Sequence, residues 1–478
     1  MNHEEFGDGW PSGLPVGAGW AEAPAYSDVI FPYDGSVVAR APVGDAALAA
    51  RALEEALAVA PAMAALPSHA RRAALLGAHD ALAERRAEFE RLLVLETGKP
   101  LVDCRVEVAR TLVTLTTAAE EVARSHGETV PLDLLPSGEG LIGFWTRRPI
   151  GVVVGITGFN YPLLLAAHKI APAVAAGCPV IVKPAPATPL ATLWLAHLIR
   201  STGALPAAGV QLVTGDVEVG RTLVEDRRIG AVSFTGSAAA GHAIARAAAP
   251  TKVLLELGSN AALVVAADAD LQAAADAVVR GGYYASGQAC ISVQRVLVEE
   301  PVHEEFLGLL AARAKDVTVG DPRSARTQVA PLIDPAATGR VLDRIGASGA
   351  RLVTGGVRDG RAIAPTVLAD VPEGAEVWDE EIFGPVVCVR PVPDLDTAFA
   401  RVNDSRYGLH ASVFTRSLAT AFAAIERIEA GGVVVNEVPG FRADNMPYGG
   451  VKDSGIGREG PRFAMEEFTV TRMAIIRP

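Results

Sequence analysis

From Pro149 onward the chain alternates short β-branched runs with helical stretches, and this alternation restricts its folding more than any other feature. The runs at 150–156, 179–182, 210–213, 231–235 and 253–257 are each separated by a segment with helical spacing. Five such strands between helices predict an open, doubly wound parallel sheet. In sheets of that kind ligands bind beyond the carboxyl ends of the strands. Thr188-Pro189 adds a helix N-cap followed by Pro at the first helical position.

A second alternation follows. Leu263-Val-Val, Arg295-Val-Leu-Val, Val386-Val-Cys-Val, Ser412-Val-Phe and Val433-Val-Val are each set against helical segments, which predicts a second α/β domain. Upstream, residues 44–125 are rich in Ala, Leu, Glu and Arg at helical spacing, and Pro67-Ser68 and Gly98-Lys99-Pro100 divide them into successive helices. Residues 127–148 read as an extended excursion from the core. The closing Phe468-Thr-Val-Thr-Arg-Met-Ala-Ile-Ile-Arg alternates as a strand with nothing after it to pair with. A strand of that kind often adds to a neighbouring subunit's sheet, so a homodimer or homotetramer is expected.

A chain of 478 residues exceeds one ordinary core, in keeping with two or three domains. Its net charge of −12 disfavours a nucleic-acid footprint or an anionic membrane surface as partner. Met1-Asn-His-Glu-Glu carries acid where a signal peptide carries base, and the least charged stretch, Pro149 to Ala167, is interrupted by Gly151, Gly155, Gly158, Asn160 and Pro162. Cysteines 104, 178, 290 and 388 form no CxxC pair, which fits neither a disulfide framework nor a zinc ribbon. A cytoplasmic protein without a metal is expected. Of 43 Lys and Arg only six are Lys, at 99, 169, 183, 252, 315 and 452, so each raises the question of why Arg would not serve.

Several residues can carry chemistry. Cys290, in Gly287-Gln-Ala-Cys-Ile-Ser, sits in a polar loop of small residues that can expose a thiol, although a lone Cys also serves as a small buried hydrophobe. Glu256 ends an otherwise apolar strand; it is either a desolvated general base or a carboxylate held by backbone amides. Asn160, where the first strand of the alternation turns into a helix, can shape the turn or donate to an oxyanion. Lys183 ends the second strand. Phe234-Thr-Gly-Ser-Ala-Ala-Ala-Gly241 gives a strand, a Gly turn and a helix start able to hold a pyrophosphate, without being a GxGxxG fingerprint.

In this order, Gly158-Phe-Asn-Tyr-Pro, Val182-Lys-Pro-Ala-Pro-Ala-Thr-Pro, Phe234-Thr-Gly-Ser, Leu255-Glu-Leu-Gly, Gly287-Gln-Ala-Cys, Glu381-Ile-Phe-Gly-Pro-Val and Pro447-Tyr-Gly-Gly-Val-Lys-Asp-Ser-Gly-Ile-Gly-Arg-Glu-Gly resemble the aldehyde dehydrogenase superfamily over nearly the whole chain. The resemblance implies two Rossmann-like open-sheet domains plus a β oligomerisation segment. Residues 1–125 and 148–257 would bind the dinucleotide, 258–437 would carry the nucleophile, and 126–147 with 438–478 would bridge subunits. It implies Cys290 as nucleophile, Glu256 as general base, and Asn160 with the Cys290 backbone N–H as oxyanion hole. Lys183 and Glu381 would hold the two riboses, Phe383 would pack near the nicotinamide, and Gly236 and Ser237 would face the pyrophosphate. Thr157, Phe159, Pro186, Phe234, Thr235, Gly241, Leu257 and Gly258 complete the implied cofactor site. Acylating relatives generally dispense with the base, so Glu256 favours release of a free acid. Gly258-Ser-Asn-Ala-Ala departs from the Gly-Lys that many members carry there.

The substrate funnel is similar to that of lactaldehyde, phosphonoacetaldehyde and non-phosphorylating glyceraldehyde-3-phosphate dehydrogenases. Arg110, Tyr161 and Arg442 match positions that bind phosphate or phosphonate in anion-using members, and Arg suits such groups through paired donors. Ala289 stands where phosphate-using members tend to carry another Arg. A small hydroxylated or anionic aldehyde is therefore the expected substrate. Pro186 stands where many NAD-preferring members place a Glu, so NAD or NADP is expected, with an inclination to NAD. The competing readings are a thiol hydrolase or acyltransferase using Cys290 alone, and a catalytically silent paralogue.

Overall fold

The computed structural model describes residues 13–478, so the acidic Met1-Asn-His-Glu-Glu start lies outside the described residues. An antiparallel pair of strands, Ala25–Ile30 and Val37–Val43, is followed by four helices: α1 (Ala46–Ala65), α2 (Ser68–Glu84), α3 (Arg86–Thr97) and α4 (Leu101–Glu121). The breaks at Pro67 and at Gly98-Lys99-Pro100 fall as expected; a third, at Arg85, carries no Gly or Pro signal. Gly98 ends α3 in the left-handed conformation (φ 70°), the usual glycine role at a helix C-terminus.

The first alternation forms β1 (Val153–Ile156), β2 (Val180–Lys183), β3 (Val210–Leu212), β4 (Ala231–Thr235) and β5 (Lys252–Glu256). They lie parallel in the order β5-β4-β1-β2-β3, with the short strand Gly455–Ile456 returning antiparallel on β5. The connecting helices are α5 (Pro162–Ala176), α6 (Leu190–Ser201), α7 (Val217–Val224) and α8 (Ala238–Ala248). Chain order reverses between β1 and β4, which opens a crevice at their carboxyl ends. One apolar core packs α2 to α6 on one face of this sheet, and a second packs α1 and α7 on the other.

Thr188 does not cap α6 as expected. Its hydroxyl donates to the Phe159 carbonyl (3.2 Å), and the first turn is capped from a distance by the buried Glu96 of α3, which accepts from the N–H groups of Leu190 (2.8 Å) and Ala191 (3.0 Å). A carboxyl whose two oxygens each accept an amide satisfies more of the exposed helix end than one hydroxyl can.

The second alternation forms β6 (Ala262–Val265), β7 (Arg295–Glu299), β8 (Arg351–Thr354), β9 (Thr366–Ala369), β10 (Val386–Val392), β11 (His410–Phe414) and β12 (Gly432–Val435). Their order is β8-β9-β10-β7-β6-β11-β12, parallel except for β8, with apolar cores on both faces. β8 and β9 were not foreseen.

The closing strand Thr469–Ile476 differs from expectation: it pairs along its whole length with Ile142–Pro149, in a three-stranded sheet completed by Glu128–Thr129. Two segments more than 300 residues apart meet there, and adjacency in sequence could not reveal the pairing. The outer edge of Thr469–Ile476 has no strand partner among the described residues. No described helix is long and apolar enough to cross a membrane.

Candidate active site

Helix α9 (Leu271–Tyr283) leads into a strained turn. Ala285 (φ 48°), Ser286 (φ 57°) and Gly287 (φ 74°) are consecutive left-handed residues, and the two that are not Gly cost about 1–3 kcal/mol each. Gly287 is required twice over, because a Cβ there would meet the Gly384 carbonyl oxygen at 2.1 Å. Further contacts hold the turn. The Ser286 hydroxyl donates to the Ala330 carbonyl and accepts from its N–H (2.9 Å each), and Gln288 Oε1 accepts from the Ile333 N–H (3.0 Å).

Cys290 follows at once. Cys104, Cys178 and Cys388 are buried, and Cys290 alone of the four is partly exposed. Its Sγ lies 3.2 Å from the Tyr448 hydroxyl. Burial pushes the thiol up to about 12; the Tyr448 hydrogen bond opposes this, and the carboxyls of Glu381 and Glu256 add to it.

Asn160 approaches from the β1–α5 turn, its amide donating to the Gln288 carbonyl (2.8 Å). The Asn160 side chain has a second N–H to offer. Its backbone is anchored by Lys99, which donates to the Asn160 carbonyl (2.8 Å), pairs with Glu107 and lies 3.7 Å from the Tyr161 ring centre. Glu107 also accepts from the first amides of α5, Leu163 (3.0 Å) and Leu164 (3.2 Å). Tyr161, expected at the substrate, therefore has one ring face covered by Lys99.

Glu256, at the end of β5, is buried with both carboxylate oxygens free of hydrogen-bond partners, so it is not a carboxylate held by backbone amides. Burial raises its pKa well above the usual carboxylate range, and the neighbouring Glu459 raises it further. Against its own burial, Glu459 is held well below that range by Lys169, His168 and Arg442. Where two such carboxyls lie close, the proton resides on Glu256.

The arginines are bound into the same network. Arg110 grips Asp444 with Nε (3.1 Å) and Nη2 (2.7 Å); Asp444 also meets His168 (3.3 Å), and His168 meets Glu459 (3.2 Å). Arg442 donates to Glu459 (3.2 Å) and stacks 3.6 Å from the Tyr448 ring centre. Arg110 keeps 23% of its side-chain surface exposed, whereas Arg442 keeps only 7%. Arg442 is thus neither a solvated loop residue nor openly displayed.

Sequence reasoning gave no site role to Lys169, His168, Tyr448 or Glu459, although Tyr448 and Glu459 lie in the closing motif. Lys169 carried a signal, a Lys within Leu163-Leu-Leu-Ala-Ala-His-Lys-Ile-Ala; it is fully buried and donates to Glu459 (2.9 Å) and to the Thr235 hydroxyl (2.7 Å).

The crevice beyond β1, β2 and β4 gathers the expected cofactor residues. Ser237 caps α8, accepting from the Ala240 N–H (3.3 Å), and Gly236 precedes it, so a helix N-terminus opens at the switch point. The buried Thr157 hydroxyl there has no partner. Lys183 is buried, which lowers its pKa, and Asp216 opposes that shift. An acid therefore acts on Lys183 although Pro186 is none. Phe159 and Phe383 meet edge to face with ring centres 5.7 Å apart, Phe383 in the left-handed region (φ 56°). Glu381 accepts from the Ser259 N–H (2.9 Å), and burial pushes it up to about 7. Phe234 and Leu257 line the core beneath α8, where Gly241 packs on Leu257 and a Cβ would lie only 2.3 Å from its methyl. Gly258 lies against Glu381. These groups suit a dinucleotide: an anion-ready helix end, a buried cation, an unpartnered hydroxyl and a pair of aromatic rings.

Comparison with known proteins agrees with this geometry. The family model described as "Aldehyde dehydrogenase family" matches residues 20–474. A 3-sulfolactaldehyde dehydrogenase of Priestia aryabhattai is 41% identical over 406 residues, 84% of this chain and 85% of that protein. Among solved structures, aldehyde dehydrogenase 21 from Physcomitrella patens, in complex with the reaction product succinate, has a TM-score of 0.94 at 37% identity and 98% coverage of each chain. The glyceraldehyde-3-phosphate dehydrogenase GapN of Methanocaldococcus jannaschii, complexed with NADP, has a TM-score of 0.91 at 34% identity, covering 95% of this chain and 100% of that one. With one partly exposed thiol just after a strained turn, a buried unpartnered carboxyl near it and a doubly wound sheet to hold a dinucleotide, the chain belongs to the aldehyde dehydrogenase family.

Proposed function

We propose that this NAD(P)-dependent aldehyde dehydrogenase oxidises a small aldehyde bearing a hydroxyl or an anionic group to the free carboxylic acid, with Cys290 as nucleophile. The observation that carries the reading is a partly exposed Cys290 thiol near the buried, unpartnered Glu256 carboxyl. The 3-sulfolactaldehyde relative and the succinate-bound structure support an anionic substrate.

In this reading the Cys290 thiolate adds to the aldehyde carbon, and the free N–H of Asn160 with the Cys290 backbone N–H stabilises the resulting alkoxide. The nicotinamide cofactor, when bound, supplies the hydride acceptor. Loss of hydride leaves an acyl thioester on Cys290. Glu256 then takes a proton from water as its oxygen attacks the thioester carbon, releasing the acid and returning the sulfur as thiolate. Lys183 and Glu381 would hold the riboses, Gly236 and Ser237 the pyrophosphate, and Phe383 the nicotinamide face. Asp216 beside Lys183 supports NAD over NADP, because a 2′-phosphate there meets a carboxylate.

Arg110 would meet the substrate anion directly with the donors left outside its Asp444 pair. Arg442, being buried, would act through Tyr448 and Glu459. Residues 258–437 would form the catalytic domain, and the free edge of Thr469–Ile476 would join a second copy.

The test is a set of steady-state rates with lactaldehyde, sulfolactaldehyde, phosphonoacetaldehyde, succinic semialdehyde and simple alkanals, each with NAD and NADP. The reading requires the hydroxylated or anionic aldehydes to have the highest kcat/KM, and Arg110→Ala to raise their KM while leaving alkanals unaffected. Alkanals in first place, unmoved by the substitution, would overturn it.

A further inference from the structure

One face of helix α4 carries three charged residues, Asp103, Glu107 and Arg110, spaced so that all three point the same way. Each engages a different segment of the site. Arg110 grips Asp444 in the loop that leads to Tyr448, and Glu107 takes the first amides of α5 behind Asn160. Asp103 reaches the third segment, its Oδ2 accepting from the Ala285 N–H at 2.9 Å.

Ala285 is the first residue of the left-handed run that ends at Gly287, and Cys290 stands five residues beyond it. Its N–H would otherwise be an unsatisfied donor at the end of α9. The Ala285 carbonyl accepts from the Gln288 N–H (3.1 Å) within the turn, and the contacts from other segments act later: the 330–333 segment at Ser286 and Gln288, Gly384 at Gly287, and Asn160 at the Gln288 carbonyl. Among the described residues, Asp103 is therefore the one side chain that hydrogen-bonds to the turn where its strain begins. It lines a cavity of about 450 Å³ together with Tyr284 and Arg280, and among the described residues it makes no ion pair there.

We infer that Asp103 is a positioning residue for the nucleophile: by accepting the Ala285 N–H it holds the left-handed turn that sets the direction of the Cys290 thiol. Asp103 touches neither sulfur nor substrate. The inference rests on Cys290 being the nucleophile, and it concerns an acceptor rather than a charge. An amide oxygen can take the same N–H, so Asp103→Asn preserves what Asp103→Ala removes.

The experiment measures iodoacetamide alkylation of Cys290, located by peptide mapping, together with kcat, KM and cofactor Kd, in the full-length protein and its Asp103→Ala, Asp103→Asn and Cys290→Ser variants. A lost hydrogen bond to a carboxylate corresponds to about a tenfold effect. Asp103→Ala is expected to lower kcat and the alkylation rate about tenfold each with KM and cofactor Kd unchanged, and Asp103→Asn to restore both to within about threefold of the parent. Unaltered alkylation in Asp103→Ala, or an Asp103→Asn variant as impaired as Asp103→Ala while its circular dichroism matches the parent, overturns the inference. Activity surviving in Cys290→Ser would instead refute the nucleophile assignment, and is read separately.

Discussion

The Tyr448 hydroxyl lies 3.2 Å from Cys290 Sγ, and the Arg442 guanidinium covers the same tyrosine ring at 3.6 Å. Burial works against a Cys290 thiolate; the Tyr448 hydrogen bond favours it most, and the Arg442 charge adds to that. Tyr448→Phe removes the donor and keeps the ring. A hydrogen bond to a charged acceptor is worth about 1.5–3 kcal/mol, so alkylation at neutral pH should slow about tenfold or more and its pKa should rise by about one unit or more. Iodoacetamide rates across a pH series check this, and an unshifted profile would show that Tyr448 does not support the thiolate.

Glu256 and Glu459 divide their roles through one proton. Glu459 is ionised against Lys169 and Arg442, and Glu256 keeps the proton because burial and the Glu459 charge both raise its pKa. A base with a raised pKa gains activity as pH climbs through that value, so hydrolysis of the acyl enzyme should accelerate towards alkaline pH. Glu256→Gln should flatten that rise and slow turnover about 10²–10⁴-fold. Stopped-flow mixing should then show a burst of reduced nicotinamide near one equivalent per active site, followed by almost no steady state. A linear trace at the parental rate would exclude Glu256 as the base.

Why some of this was legible and some not follows from sequence distance. Cys290, Glu256 and Lys183 each stand at a change of pattern, where an apolar run meets a loop, and a polar residue there invites a reading by itself. The Glu459 network joins Lys169, His168 and Arg442 over spacings of 17 to 291 residues and exists only once the chain is folded. Local chemistry allows Thr188 to cap α6, but the buried Glu96, 94 residues before Leu190, takes that role. β8 and β9 are four residues each in a Gly-rich stretch, too short for their alternation to stand out.

In the proposed reading, Asp216 disfavours the 2′-phosphate of NADP. It caps α7 through the N–H groups of Glu218 (2.9 Å) and Val219 (3.4 Å) and acts electrostatically on Lys183. Asp216→Asn keeps an N-cap while removing the charge. The ratio of kcat/KM for NADP to that for NAD should rise about fivefold or more, because one like-charge repulsion of a 2′-phosphate is worth about 1 kcal/mol in a solvated crevice. The two Kd values, measured by quenching of intrinsic fluorescence, should move in the same sense. A ratio that stays fixed would detach Asp216 from cofactor choice.

Glu96 makes stability pH-dependent in a direction opposite to most carboxylates. Burial pushes it up to about 8, although the Ala191 and Leu190 amides pull the other way. Below the unfolded value near 4.5, both states hold the proton and the contribution to stability is complete. Between there and about 8 the unfolded chain ionises while the native state keeps its proton, so stability falls by about 1.4 kcal/mol per pH unit from this group. Glu96→Gln retains an acceptor at α6 and does not ionise. Thermal unfolding should therefore show the parent losing Tm between about pH 5 and about pH 8, with Glu96→Gln less stable than the parent at the acid end and closing the gap, or overtaking it, at the alkaline end. Parallel Tm curves for the two proteins would mean that Glu96 is ionised in the native state across the whole range, and that its two amide bonds outweigh its burial.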